Sequence, residues 1–209
     1  MWKIKGTLPL FFSVAAATFV MMGHFIFTQK VIADAYPSSH FLWESAVSQG
    51  LFLLPFIFMI VPASYLSNKF QKSRVIQWSS VVMSMSMLCI ALFYTLGFAH
   101  LGFWFTLLLT AAFAVHSPAK YGILKEMFGT RYLSYANACL QIFAVVALMA
   151  ATWLMVGGME GVRSAFENSP SIAEMLSKAV ALPWILFGFS VISTLLAFLC
   201  RQWVANTPR

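Results

Sequence analysis

The most informative stretch of this sequence is His116–Glu126, which reads HSPAKYGILKE. It ends a long apolar run that begins near Phe103, and it contains a proline, a glycine and Lys120. Because a cation inside a membrane costs free energy, a lysine in such a place is a candidate functional residue by default. The remainder of the chain indicates what surrounds this lysine.

Composition predicts a membrane protein. Of 209 residues, 61% are hydrophobic and 9% are charged, whereas a soluble domain has roughly 25% charged residues. The net charge of +7 does not indicate nucleic-acid binding, because the cations cluster in short connections between apolar runs, as membrane topology requires. The cysteines have no metal-ligand spacing, which predicts buried thiols at Cys89, Cys139 and Cys200.

Six apolar segments are each close to the roughly 20 residues that a helix needs to cross a bilayer. They cover approximately residues 8–27, 41–65, 75–96, 103–123, 135–156 and 179–200. We therefore predict an all-α, six-helix transmembrane bundle that forms one domain over residues 1–209. The longest connection, 157–178, contains Pro170 and predicts a short amphipathic helix near Ser171–Leu176.

The distribution of Lys and Arg predicts that both termini are cytoplasmic. Only three cations fall on the opposite side, at Lys30, Arg163 and Lys178. The predicted cytoplasmic side holds ten, namely Lys3, Lys5, Lys69, Lys72, Arg74, Lys120, Lys125, Arg131, Arg201 and Arg209.

The sequence contains no residue pattern that indicates an enzyme, a metal site or another cofactor. No acid lies deep in an apolar segment, so His24 and His116 are the only intramembrane candidates for a proton relay. We interpret His24 as an interfacial or helix-bridging histidine.

The connection after the second segment carries three cations, which topology alone explains. It also resembles the loop between helices two and three of the major facilitator superfamily, where Gly-x-x-x-Asp-x-x-x-x-x-Arg clamps helix ends. Ser64 and Asn68 stand at the glycine and aspartate positions, Lys69 follows, and Arg74 is kept. The resemblance implies a conformational loop with a weaker latch, because Asn68 cannot form a charge-assisted pair.

The central stretch resembles one branch of this superfamily, the bacterial lysophospholipid transporters, whose unit also occurs fused to 2-acylglycerophosphoethanolamine acyltransferase and acyl-carrier-protein synthetase. The matching residues are Ser117, Pro118, Ala119, Lys120, Tyr121, Gly122, Ile123 and Leu124, then Glu126, then Ala136 and Asn137. Since the family has twelve helices, the chain resembles an N-terminal half. Prolines at Pro62 and Pro118 before the two basic connections agree with two inverted three-helix repeats.

Three acids of that family are neutral in this chain. Ala17 stands in the first helix, Asn68 in the basic loop and Gln141 after the Ala-Asn pair. The resemblance implies head-group contact at Lys120 and Asn137, and we add Tyr121 and Gln141 to the predicted substrate site. The alternative for Lys120 is a lysine that snorkels to the cytoplasmic interface.

The predicted function is movement of lysophospholipid across the bacterial inner membrane, without a chemical reaction. The partners implied are membrane lipids, a second six-helix half or a second copy of the chain, and an acyltransferase. Two alternatives remain open at this point. One is a transporter of another small molecule, and the other is a structural or remnant subunit that transports nothing.

Overall fold

The computed structural model describes residues 6–35, 38–166 and 171–205. Every regular element in these ranges is a helix, which confirms the all-α class. The elements are α1 (Thr7–Ala35), α2 (Ser38–Lys69), α3 (Lys72–Thr95), α4 (Ala99–Arg163), α5 (Ile172–Lys178) and α6 (Ala181–Ala205). Five of them, all but α5, are long and apolar enough to cross a membrane. Lys3, Lys5, Arg209 and Pro170 lie outside the described residues, as does the side chain of Arg201.

Helix α4 contains both the fourth and the fifth predicted segment. At 1.5 Å per residue, its 65 residues would form a straight rod of roughly 98 Å, about three times the thickness of the hydrocarbon core. The backbone is non-helical at Gly129, where φ is 62° and ψ is −177°. The Gln141 side chain then donates a hydrogen bond of 2.9 Å to the Tyr121 hydroxyl. Two residues that far apart would be separated by about 30 Å along a straight helix, so α4 folds back on itself at Gly129.

The reversal does not occur at the proline that the sequence offers as a helix breaker. Helix α4 continues through Pro118, and α2 likewise continues through Pro55 and Pro62. Proline is tolerated inside transmembrane helices because neighbouring helices and local adjustments satisfy the freed backbone groups. The connection predicted between residues 123 and 135 is therefore helical except around Gly129.

The core consists of two apolar clusters at opposite ends of the bundle. We call them the Gly129 end and the α5 end. The Gly129 end joins the starts of α1 and α3, the middle of α4 and the far part of α6, through residues such as Leu10, Phe11, Ile76, Leu124, Phe128, Leu140 and Cys200. The α5 end joins the later part of α1, both outer parts of α4 and α5 itself, through residues such as Phe27, Val31, Leu109, Met159, Met175 and Leu176.

The short helix predicted near Ser171–Leu176 is confirmed as α5. The Ser171 hydroxyl accepts a hydrogen bond from the Glu174 backbone N–H, and the Glu174 carboxylate accepts from the Ser171 backbone N–H, which together form a capping box. Hydrogen bonds from the Ser171 backbone N–H and hydroxyl hold the pKa of the Glu174 carboxyl below its ordinary value. The cap fixes α5 so that Met175 and Leu176 are buried against the bundle.

Candidate functional site

Lys120 lies on the first segment of α4 (residues 99–128) and is 8% exposed. Its ammonium nitrogen is 5.7 Å from the centre of the Phe113 ring and 5.1 Å from that of Tyr121. Within the described part of the chain, no acid or hydrogen-bond acceptor contacts this ammonium. A snorkelling lysine keeps its charged head in water, so this degree of burial does not fit that alternative.

The fold of α4 brings three of the four predicted substrate residues together. Lys120 lies against the Tyr121 ring, and the Tyr121 hydroxyl accepts the hydrogen bond from Gln141 on the second segment. Asn137 lies one turn before Gln141, on the same side of the helix. Its side-chain oxygen is buried and has no partner among the described residues.

His116 lies one helical turn before Lys120 and is fully buried. Its Nδ1 atom is 3.1 Å from the Ser79 hydroxyl on α3, and its ring stacks on Phe113 with the two planes only 8° apart. The Nε2 atom has no partner in the described structure. His116 is absent from the predicted site, although the four-residue spacing to Lys120 is a signal that places both on one helix face.

Two of the predicted motif residues have a clear packing role. Ala119 is fully buried in the Gly129 end. A Cβ atom added to Gly122 would lie 2.5 Å from Cδ and Cε of Lys72, so glycine is the residue that lets this lysine cross the surface of α4. The other two motif residues, Ser117 and Pro118, are half-buried on the same helix.

The ion pair at the Gly129 end involves Lys72 and not the residues at the motif positions, Asn68 and Arg74. Lys72 donates a 2.6 Å hydrogen bond to Glu126 and so joins the start of α3 to α4. By contrast, the side chains of Asn68 and Arg74 are exposed and have no ion-pair or hydrogen-bond partner in the described ranges. No spacing rule identifies Lys72 as a site residue, because its partner is 54 positions away.

The rest of the predicted loop has only local contacts. Lys69 donates a hydrogen bond of 3.0 Å to the Tyr65 hydroxyl one turn earlier. Ser64 is exposed on the same helix. These residues therefore do not connect α2 to another helix through their side chains.

His24 has a structural role. It is fully buried, and its Nε2 atom is 2.9 Å from the Thr106 hydroxyl, which links α1 to α4. The interpretation as a helix-bridging histidine is confirmed. In the described ranges, no group of three His, Cys, Asp or Glu side chains could hold a metal ion.

Long apolar helices and a buried cation indicate a multi-pass membrane protein. Comparison with characterised proteins supports a transporter: 136 residues are 27% identical to the lysophospholipid transporter LplT of Photorhabdus laumondii, over 64% of this chain. The match covers 31% of that protein, so the aligned part of this chain spans about a third of its length. No family model matches the chain, and no solved structure matches it.

Proposed function

We propose that this chain is the N-terminal, six-helix half of a major-facilitator-type transporter that moves lysophospholipid across the bacterial inner membrane. The observation that carries the proposal is the Lys120 ammonium, which is nearly buried and has no anionic partner among the described residues. The similarity to a lysophospholipid transporter supports the choice of substrate.

A buried charge without a counter-ion is costly, and a bound anion offsets that cost. A phosphate is a suitable anion, because lysine binds phosphate as a point charge. The buried oxygen of Asn137 would accept a hydrogen bond from a hydroxyl or ammonium group of the same head-group. Tyr121 and Gln141, which already bond each other, would close the opposite side of this site.

The six crossings consist of α1, α2, α3, α6 and the two segments of α4, each longer than the roughly 20 residues needed. The Gly129 end then faces the cytoplasm, because Lys69, Lys72, Arg74, Lys125 and Arg131 gather there. These six crossings would form the two inverted three-helix repeats that the resemblance implies, within one half of a twelve-helix transporter, with residues 1–209 as a single domain.

Cysteine labelling tests this orientation. A probe reacting from outside the cell should modify a cysteine at position 169, which lies outside the described residues, and should not modify one at position 73. The reverse pattern would put Lys120 at the wrong face of the membrane.

The partner that we propose is a second six-helix half or a second copy of this chain. The resemblance implies an acyltransferase as a further partner. Large apolar side chains are exposed on α2 and on the second segment of α4 (residues 130–163), including Leu53, Ile57, Phe58, Val61, Ile142, Val146, Met149 and Trp153. Gln49 and Gln141 have partners within the chain, so the proposed interface rests on the exposed apolar side chains. Chemical cross-linking in membranes should yield a dimer or a complex, and a lone monomer would contradict the proposal.

The direct test is uptake of labelled lysophosphatidylethanolamine by cells that express the chain with its proposed second half. Lys120→Gln should weaken substrate binding by roughly ten- to a hundredfold, since a hydrogen bond to a charged group contributes about 1.5–3 kcal/mol. Lys120→Arg should retain part of the binding, because the charge remains.

The matched control is Lys125→Gln, at an exposed position five residues later, which should change binding little. Equal losses at both positions would mean a diffuse basic surface. No loss at either position would remove Lys120 from the site.

A further inference from the structure

An apolar groove of about 510 Å³ runs between α2, α3 and the first segment of α4. Its walls include Met59 and Phe70 from α2, Trp78 from α3, and Ala112 and Val115 from α4. The volume is within the range of about 300–1,000 Å³ that is typical of small-molecule sites. Lys120 is not part of its lining, so the groove is distinct from the site described above.

The groove has one charged residue, Arg74, at its Gly129 end. The other polar wall residue, Ser79, already donates to the Ile76 carbonyl or contacts His116. From Arg74 to Val82, the lining on α3 extends over eight residues, which is about 12 Å of helix. The groove is therefore an elongated apolar surface with a single cation at one end.

Arg74 is available to a ligand. Its side chain is exposed and forms no ion pair in the described ranges. A guanidinium binds phosphate through two parallel hydrogen bonds, which makes arginine well suited to a phosphate head-group. Met59 and Trp78 supply adaptable apolar surface farther along the groove.

We propose that this groove binds a single-chain anionic amphiphile, with the acyl chain along the apolar walls and the phosphate at Arg74. The inference rests on the proposed function, because it gives the same class of substrate a second contact, separate from Lys120. Complementarity of charge and length selects this occupant, because one cation at one end of an elongated apolar groove matches one phosphate at the end of one acyl chain.

Fluorescence quenching tests the proposal on the full chain in a neutral detergent. The probe is lysophosphatidic acid with a brominated acyl chain, and the signal is the quenching that disappears in Trp78→Phe. Three further probes separate the contributions: a brominated monoacylglycerol lacks the phosphate, inorganic phosphate lacks the chain, and brominated phosphatidic acid has two chains. We expect the single-chain phosphate probe to half-saturate the quenching at about tenfold lower concentration than the neutral probe. A tenfold difference is the lower end of the gain in affinity that a hydrogen bond to a charged group provides.

Two pairs of variants locate the site. Arg74→Gln should abolish the advantage of the phosphate probe, whereas Lys125→Gln, at an exposed position outside the groove, should preserve it. Ala111→Phe should fill the groove and remove the quenching of Trp78. The same substitution at Ala138, an exposed alanine that does not line the groove, should leave it unchanged.

Equal quenching by the charged, neutral and two-chain probes would mean ordinary contact with surrounding lipid and would overturn the proposal. Equal quenching of the wild type and of Trp78→Phe by the single-chain phosphate probe would overturn it as well, because none of the quenching would then come from Trp78. If the wild-type chain shows the expected quenching but cells take up no lysophospholipid, the proposed transport function is wrong and the proposed binding in the groove is supported. If uptake occurs without that quenching, the proposed binding in the groove is wrong and the proposed transport function is supported.

Discussion

Replacing Gly129 by alanine should destabilise the fold through the backbone alone. Its φ of 62° and ψ of −177° belong to a region that is essentially restricted to glycine, and holding another residue there costs about 1–3 kcal/mol. A Cβ atom at this position would meet no heavy atom within 4 Å, so steric overlap adds nothing. We therefore expect Gly129→Ala to lower the free energy of unfolding by that amount.

The same substitution at Gly157 is the control, because it lies in the same helix and also has open space around a Cβ atom. Its backbone is helical, and alanine is favoured over glycine in a helix by about 0.8–1 kcal/mol. Gly157→Ala should thus be neutral or stabilising. The two variants are expected to differ in free energy of unfolding by about 2–4 kcal/mol.

Reversible unfolding of the purified chain in mild detergent, with a denaturing detergent as titrant, measures both variants. Spin labels at positions 121 and 141 report on the reversal itself, since these residues are in contact here but would be about 30 Å apart in a straight helix. Gly129→Ala with wild-type stability, or a wild-type chain with a long distance between the labels, would refute the reasoning.

Two further predictions concern the ends of the bundle. A double-mutant cycle on Lys72 and Glu126 should give a coupling energy of about 0.2–1 kcal/mol, as for other partly exposed pairs. Gly122→Ala should weaken that coupling, because the added Cβ atom displaces the side chain of Lys72. A coupling of unchanged size in Gly122→Ala would contradict the contact. At the α5 end, the lowered pKa of Glu174 means that its stabilising effect is fully present above its ordinary pKa of 4.5 and is lost as the pH falls through the lowered pKa. Hydrogen exchange of the α5 amides should show this pH dependence. Glu174→Gln should abolish it, whereas Ser171→Ala should only reduce it, because the backbone N–H of residue 171 still donates to the Glu174 carboxylate.

Local features of the sequence predict several elements correctly. The short helix predicted near Ser171–Leu176 forms as α5, and Ser171 and Glu174 form a capping box at its start. His24, a polar residue in an apolar segment, is predicted to be interfacial or to bridge helices, and its contact with Thr106 shows the second role. These predictions succeed because each depends on a few neighbouring residues or on the cost of leaving a polar group unsatisfied in hydrocarbon.

The position of the chain reversal is less predictable. Pro118 and Gly122 have the residue types that interrupt helices, yet α4 passes through both and reverses at Gly129. A transmembrane helix tolerates proline when its neighbours compensate, and Gly122 is used for the close approach of Lys72 instead. Residue type alone does not distinguish a glycine that permits contact from one that permits a turn.

Composition and segment length are enough to identify a helical membrane protein, because the thickness of the hydrocarbon core sets the length of each segment separately. Lys120 can be singled out in the same way, because a charge within the hydrocarbon core costs free energy whatever the rest of the chain does. By contrast, the contacts that the residues around Lys120 make depend on how the helices pack. The Lys72–Glu126 pair, the Tyr121–Gln141 hydrogen bond and the groove beside Arg74 all form where different helical segments meet. Such contacts are set by the rotation and direction of whole helices against one another, which no local pattern encodes.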